Sequence, residues 1–334
     1  MDRRAFIAGV GGGLLAAPLA AGAQPAGKVA RVGYLSLESS PALYPEAFHD
    51  GLRRLGYVDG RSIVIESRLA EGKTERLATL ASELVALKLD ANGGADGGSA
   101  RALSRGTKTI PIVMGVSGDP VELGLAVSLA RPGGNVTGVS LLSPELAGKR
   151  LQFLREVAPK ATKVAVLTNR VHAGEEQEWK ANETAARSVN VTLHIQSVPD
   201  SYDLAEVFGA ITRERADAIV AIAGPMTLRN RKQIAEFAIK TRLPMIAGWA
   251  EYAEAGSLIS YGPNRRYAVR HLASFVDRIL RGAKPADLPV ERPTRLELVI
   301  NLHTAKALGV TMPASLLLQA DQVIESATRE REGP

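Results

Sequence analysis

Along most of this chain, short aliphatic runs alternate with longer stretches whose apolar residues recur at helical spacing. Residues 30–35, 62–66, 87–91 and 110–114 are brief and mostly aliphatic, and they read as strands. The intervening stretches, 45–55, 74–84 and 99–105, read as helices; in the second, Leu77, Leu80, Ala81 and Leu84 form an i, i+3, i+4, i+7 stripe. The alternation resumes after Gly138, with strands at 163–167, 192–196, 218–221 and 244–247 and helices at 145–157, 176–189, 203–213 and 227–240. Strands this short and apolar suit a parallel sheet covered by helices on both faces. The pattern predicts an α/β chain of two doubly wound parallel-sheet lobes.

The tail sets the connectivity. Residues 258–261 read as a strand, 265–280 as a helix and 296–300 as another strand, and a long helix followed by a strand does not simply cap the second lobe. Crossings between lobes are expected near Thr137, near Gly262 and around 285–293, a three-strand hinge that sets the two sheets facing each other across a cleft. Lobe 1 is expected to hold 28–138 with 262–287, and lobe 2 to hold 139–261 with 288–328.

Composition adds a compartment. Arg3 and Arg4 precede an uncharged run over 9–20, and Ala21-Gly22-Ala23 supplies small residues at cleavage spacing, so 1–23 reads as an export leader. The adjacent arginines point to the twin-arginine variant, with the ordinary secretory route as the alternative. Removing 23 of 334 residues leaves 311, enough for two domains. No other stretch runs apolar for the roughly 20 residues a bilayer span needs. There is no cysteine, which excludes disulfides, thiolate zinc sites, a Cys nucleophile and a lipid-modified Cys anchor. The formal net charge of +6 is spread along the chain, which argues against a nucleic-acid track.

Ligands of doubly wound sheets bind beyond the carboxyl ends of the strands. The loops to search are 36–40, 93–99 and 116–121 in the first lobe, and 168–174, 223–227 and 248–252 in the second. They supply the candidate contacts Ser36, Gly94, Ala95, Ser117, Asp119, Asn169, Pro225, Trp249 and Glu251, with Tyr261 just before a crossing. Amides of 93–99, where a strand ends and a helix opens, are expected to cradle a carboxylate. Asp119 reads equally as a partner for a ligand ammonium and as a helix cap, because Pro120 follows it. Only 2 Trp, 7 Tyr and 6 Phe occur, so Trp249, Tyr252 and Tyr261 near these loops suggest a stacking wall, with core packing as the competing account.

A reactive constellation is not found. His49, His172, His194, His271 and His303 show no metal-binding spacing, and neither a G-x-S-x-G elbow nor a G-x-x-x-x-G-K-[ST] loop is present. No catalytic residue, metal or cofactor is therefore expected. A secreted α/β hydrolase with dispersed catalytic residues is the alternative reading.

Long collinear strings support a resemblance. Residues 31–35 (RVGYL), 55–57 (LGY), 118–121 (GDPV), 128–138 (SLARPGGNVTG), 144–150 (PELAGKR), 260–264 (SYGPN), 282–291 (GAKPADLPVE) and 298–302 (LVINL) resemble the ABC-transporter substrate-binding family that includes tryptophan- and tyrosine-type amino-acid binding proteins. The resemblance implies a periplasmic binding protein of type 1, a monomer that captures a small solute and presents it to an inner-membrane permease with a separate ATPase. Presentation of another solute class to a sensor is a variant of the same reading. Two loops depart from the family's usual run: Gly-Gly-Thr or Gly-Ser is replaced within 89–96 by LDANGGAD, and Asn-Pro within 168–172 by TNRVH.

Overall fold

The structure is a computed structural model that describes residues 29–37, 44–141, 143–169, 174–199, 203–293 and 295–325. The expected leader and the loop positions 38–40 and 170–173 lie outside the described residues. The chain opens with β1 (Ala30–Ser36), α1 (Tyr44–Arg54), β2 (Ile63–Leu69), α2 (Leu77–Ala86), β3 (Ala91–Gly94), α3 (Gly97–Gly106), β4 (Ile112–Val116) and β5 (Val136–Ser140). These five strands form one parallel sheet in the order β2-β1-β3-β4-β5. There follow α4 (Ala147–Val157), β6 (Lys163–Thr168), α5 (Glu175–Ser188), β7 (Thr192–Ser197), α6 (Ala205–Glu214), β8 (Ala218–Ala221), α7 (Pro225–Arg229), α8 (Arg231–Lys240), β9 (Met245–Ala247), α9 (Ala250–Glu254) and β10 (Ile259–Pro263). The tail is α10 (Arg265–Leu280), β11 (Leu296–Asn301), α11 (Leu302–Leu308), α12 (Ala314–Gln319) and β12 (Gln322–Ile324). The second sheet has the order β12-β11-β10-β9-β8-β6-β7, parallel throughout except where β11 runs back along β10.

Strand parity decides which helix covers which face. In the first sheet Tyr34, Gly93 and Gly115 share a face: the Tyr34 ring lies 5.2 Å from that of Phe48 on α1, and Gly115 lies under Leu272 of α10. On the other face Gly94 abuts Ala100 of α3, and the stripe Leu77, Leu80, Ala81 and Leu84 of α2 is buried as its spacing predicts. In the second sheet Val164, Val166, Val220 and Ile246 pack with α4 and α5, whereas Ala165, Leu167, Ile219 and Ala221 pack with α6 and α8. Consecutive strand residues thus serve opposite layers, as a two-faced parallel sheet requires.

Helix α10 joins the first sheet although the strands on either side of it belong to the second. Its buried stripe, Ala268, Val269, Leu272, Ala273 and Val276, packs on α1 and beneath β4 and β5. The two helices approach closely at Gly51, where a methyl group would lie 2.4 Å from the Arg270 carbonyl. The seam is edged by Asp50 with Arg270 (2.9 Å) and by the Tyr57 hydroxyl donating to Asp277 (2.9 Å).

Several elements differ from expectation for physical reasons. β3 lies three to four residues beyond the expected 87–91, because Lys88 turns the chain at φ 51° and Ala91-Asn92-Gly93-Gly94 is laddered on both sides by β1 and β4. Thr137, near which the first crossing is expected, lies in β5, the fifth strand of the first sheet, so the chain leaves that sheet only after Ser140. The expected helix 227–240 is broken at Asn230 into α7 and α8.

The Gly51 contact yields a test of the α1–α10 seam. Gly51→Val is expected to destabilise the protein by about 1–3 kcal/mol through overpacking, read as a lowered urea midpoint, whereas Gly134→Ala, in open space and without a left-handed φ, is expected to cost less.

Candidate functional site

The carboxyl ends of the two sheets meet along a shared seam. In the first lobe Ser36 ends β1, wholly buried, and its carbonyl accepts the Ala70 amide at 2.9 Å. Gly94 ends β3, and the amide of buried Ala95 donates to the Leu35 carbonyl at 3.0 Å. Ser117 follows β4, and its carbonyl accepts the Ser143 amide at 3.0 Å, just past the first crossing. Asp119 caps no helix, because 120–124 form a turn: its Oδ1 accepts the Val121 amide at 2.7 Å in an Asx turn, and its own amide donates to Oε1 of Gln177 on α5 at 2.7 Å. That last bond runs from one lobe to the other.

On the second lobe, Asn169 follows β6 and donates its amide to Oε2 of Glu175 at 2.6 Å; the Thr168 hydroxyl donates to the same oxygen at 2.9 Å. Pro225 opens α7 after β8, in keeping with the tolerance of the first helical turn for a residue without an N–H. Trp249 follows β9, 3 % exposed, with the Arg265 guanidinium of α10 stacked 4.5 Å from its ring centroid. Glu251 is buried in α9. Beneath these loops Thr227 and Tyr252 share a 2.8 Å hydroxyl contact, and burial pushes the Tyr252 phenol well above its ordinary value despite that bond.

Tyr261 stands apart. Its ring meets Phe153 of α4 edge to face at 5.1 Å and 86°, inside the second lobe's α4–α5 layer, where it packs rather than lining the seam. In the 93–99 turn the Ser99 amide is taken by Asp96, which caps α3: Oδ1 accepts that amide (2.8 Å), and Oδ2 accepts the Ser99 hydroxyl (2.8 Å) and the Leu37 amide (2.9 Å). The signal was present in sequence, since Asp ahead of Gly97-Gly98-Ser99 is an N-cap pattern.

Sequence reasoning also passed over Arg150 and Glu178, on the first turns of α4 and α5. They form an ion pair with each side chain 1 % exposed. Arg150 Nε donates to the Tyr261 carbonyl at 2.8 Å and Nη1 to the Ser143 carbonyl at 3.4 Å. Gly248 and Gly262 make room for the guanidinium; a methyl group at Gly248 would lie 2.9 Å from Nη2. Burial pushes the Glu178 carboxyl up, and the Arg150 charge opposes that shift.

The lobes are shut on each other. The apolar cluster of the first lobe is continuous with the α6–α8 face of the second, and Gly72 of the first lobe abuts Arg229 and Met226 of α7. A hollow of about 280 Å³ remains in the seam against Asp119, Ser140, Glu145, Gln177, Lys180 and Arg292. Larger hollows lie elsewhere, one between α1 and the edge strand β2 and one beside α10 at the third crossing, so volume alone does not mark the cleft.

Truncating one member of the buried pair leaves the other charge stranded. Arg150→Met is expected to cost about 3–5 kcal/mol in chemical denaturation, and adding Glu178→Leu to recover much of the loss.

The family described as ABC transporter substrate binding protein matches residues 32–324. A tyrosine-binding protein of Clostridioides difficile is 27% identical over 286 residues, 85% of this chain and 82% of that protein. Among solved structures, a Streptococcus pneumoniae ABC domain in complex with L-Trp superposes with a TM-score of 0.81 at 28% identity, covering 88% of this chain and 99% of that one. The ligand-free, open structure of a substrate binding protein with adhesive properties from Clostridium difficile gives 0.64 at 25% identity, covering 89% of this chain and 100% of that one. With two α/β lobes of the periplasmic binding protein type 1 fold and a match across nearly all described residues, this chain belongs to the ABC transporter substrate-binding protein family.

Proposed function

We propose that this protein is the solute-capturing component of an ABC importer, exported to the periplasm as a monomer, and that its solute is an amino acid with an aromatic side chain. In this reading it acts by binding and release, without catalysis, and hands its cargo to an inner-membrane permease served by a separate ATPase. The observation that carries the reading is the agreement of two relatives at 27% and 28% identity, one named for tyrosine and the other bound to L-Trp. Three features of the chain support it. Polar groups of both lobes converge where the carboxyl ends of the sheets meet; Trp249 supplies an indole after β9, stacked on Arg265; and no helix among the described residues is long and apolar enough to cross a membrane.

Capture requires the solute to favour the shut form. Moving a 1:99 balance of shut to open molecules to 99:1 takes a differential affinity of about 5.5 kcal/mol. That is supplied only by a ligand that touches both lobes, which is why loops from both sheets are needed. The shut arrangement fits this: the chain superposes better on the L-Trp complex than on the ligand-free, open structure.

Isothermal titration of the leaderless protein with L-tyrosine, L-tryptophan and the branched amino acids tests the assignment. Saturable heat is expected with at least one aromatic amino acid, and that ligand at 100 times its Kd should stabilise the protein by about 2.7 kcal/mol. Heat with none of them overturns the aromatic assignment.

A further inference from the structure

We propose that Gly118 and Gly174 are positioning residues whose main-chain contact sets how far the lobes shut, and so how long a solute is held; the inference rests on the solute-capture reading above. Gly118 lies in the loop after β4 of the first lobe, and Gly174 caps the start of α5 in the second. They meet backbone to backbone. A methyl group on Gly118 would lie 2.7 Å from the Gly174 Cα, and one on Gly174 would lie 2.8 Å from the Gly118 nitrogen. Both distances are well inside the roughly 3.5–4.0 Å at which carbon atoms rest against each other.

Both partners are anchored within their own surroundings. The Gly118 carbonyl accepts the Ser140 hydroxyl at 3.1 Å, and the Ser117 carbonyl accepts the Ser143 amide at 3.0 Å, which ties this loop to the end of β5 and the first crossing. On the other side the Gly174 carbonyl accepts the Glu178 amide at 3.0 Å, and the Glu178 side chain is held by Arg150. Between the two, Gln177 engages both main-chain groups of Asp119: Oε1 accepts its amide at 2.7 Å, and Nε2 donates to its carbonyl at 3.5 Å. These bonds between lobes form where two residues without side chains let the main chains touch.

The contact also sits where a small gap is magnified. The first sheet has the order β2-β1-β3-β4-β5, and the chain leaves it after β5. The loop after β4 therefore lies beside the hinge, and the loop after β2 lies three strands farther out, about 14 Å at ordinary strand spacing. At that outer edge Gly72 also meets the second lobe, but against the guanidinium of Arg229, a flexible side-chain end that can turn away. The inner contact is main chain on both sides and has no such freedom. A methyl group added at Gly118 thus acts as a wedge near the pivot, and the separation it imposes grows toward the outer edge. Gly118 is the cleaner probe, because Gly174 has φ 96°, where any side chain is strained.

The chain has no cysteine, so two introduced ones carry spin labels without background. Lys73→Cys in the first lobe and Gln233→Cys on α8 of the second, both at exposed positions, report the separation of the lobes by pulsed electron paramagnetic resonance, with and without L-tyrosine or L-tryptophan. In the leaderless protein Gly118→Ala is expected to remove the shortest separation that the wild-type background populates, and to weaken solute binding at least about tenfold, mainly through faster dissociation. Gly118→Ala combined with Gln177→Ala is expected to show the same loss relative to Gln177→Ala alone, because the obstacle is the Gly174 main chain and not the Gln177 side chain. A separation that is unchanged or shorter in Gly118→Ala, as when the loop yields in place, overturns the inference, and so does recovery in the double variant. Gly174→Ala is the second variant if the first does not fold; failure of both to fold also overturns the inference, since a contact that opening relieves leaves each lobe intact. Should none of the amino acids bind, the aromatic assignment fails by itself, and the separations measured without solute decide.

Discussion

The buried pair of Arg150 and Glu178 is the constraint on which the arrangement of the lobes depends. Arg150 reaches the carbonyl of Ser143, just after the first crossing, and that of Tyr261, just before the second, while its partner anchors the first turn of α5. The two crossings are therefore tied to one guanidinium inside the second lobe. From Ser143 the path continues to the Ser117 carbonyl, and from α5 through Gln177 to the Asp119 amide, so both routes end on the loop after β4. A buried ion pair is a weak source of net stability, since desolvation offsets its attraction. What this one supplies is position, because a guanidinium with several fixed partners leaves the hinge few alternatives.

Much of the fold was legible because parallel sheets enforce a simple code. Strands β1, β6 and β8 fall within one residue of their aliphatic runs, and α10 falls where its periodicity places it. The code failed where tertiary contacts override local preference. Asn92-Gly93-Gly94 has the composition of a turn, yet it forms a central strand because the glycines admit Tyr34 and Phe48 on one side and Ala100 on the other. Residues 136–140 follow a Pro-Gly-Gly turn that resembles a linker, and only pairing with β4 reveals a strand. The helix break at Asn230 and the short tail elements α11, α12 and β12 have too few periodic residues to be read without their neighbours.

The candidate site was legible as a set of loops and less so as a set of side chains. Nine of the ten expected residues end a strand or lie within four residues after one, because topology alone dictates where those ends point. Tyr261 differs because it sits within β10, where parity turns its ring to Phe153. Asp96 escaped notice as a cap because its glycine neighbours suggested an open turn, and its bond to the distant Leu37 amide comes only with the fold. Arg150 and Glu178 carry no local signal at all, being ordinary charges on amphipathic helices until the fold buries them.

Closure and recognition draw on different forces in this molecule. The apolar cluster that runs from the first lobe into α6, α7 and α8 favours any shut arrangement, since burial of apolar surface is non-directional. Such a force alone would hold the lobes together whether or not cargo were present, and a capture protein that shuts empty loses its differential response. Directional groups must therefore make the empty seam costly, since a buried polar group without a partner disfavours the shut form by an amount that a complementary solute removes on binding. The requirement for cargo then has its physical origin in polar groups that only a ligand satisfies.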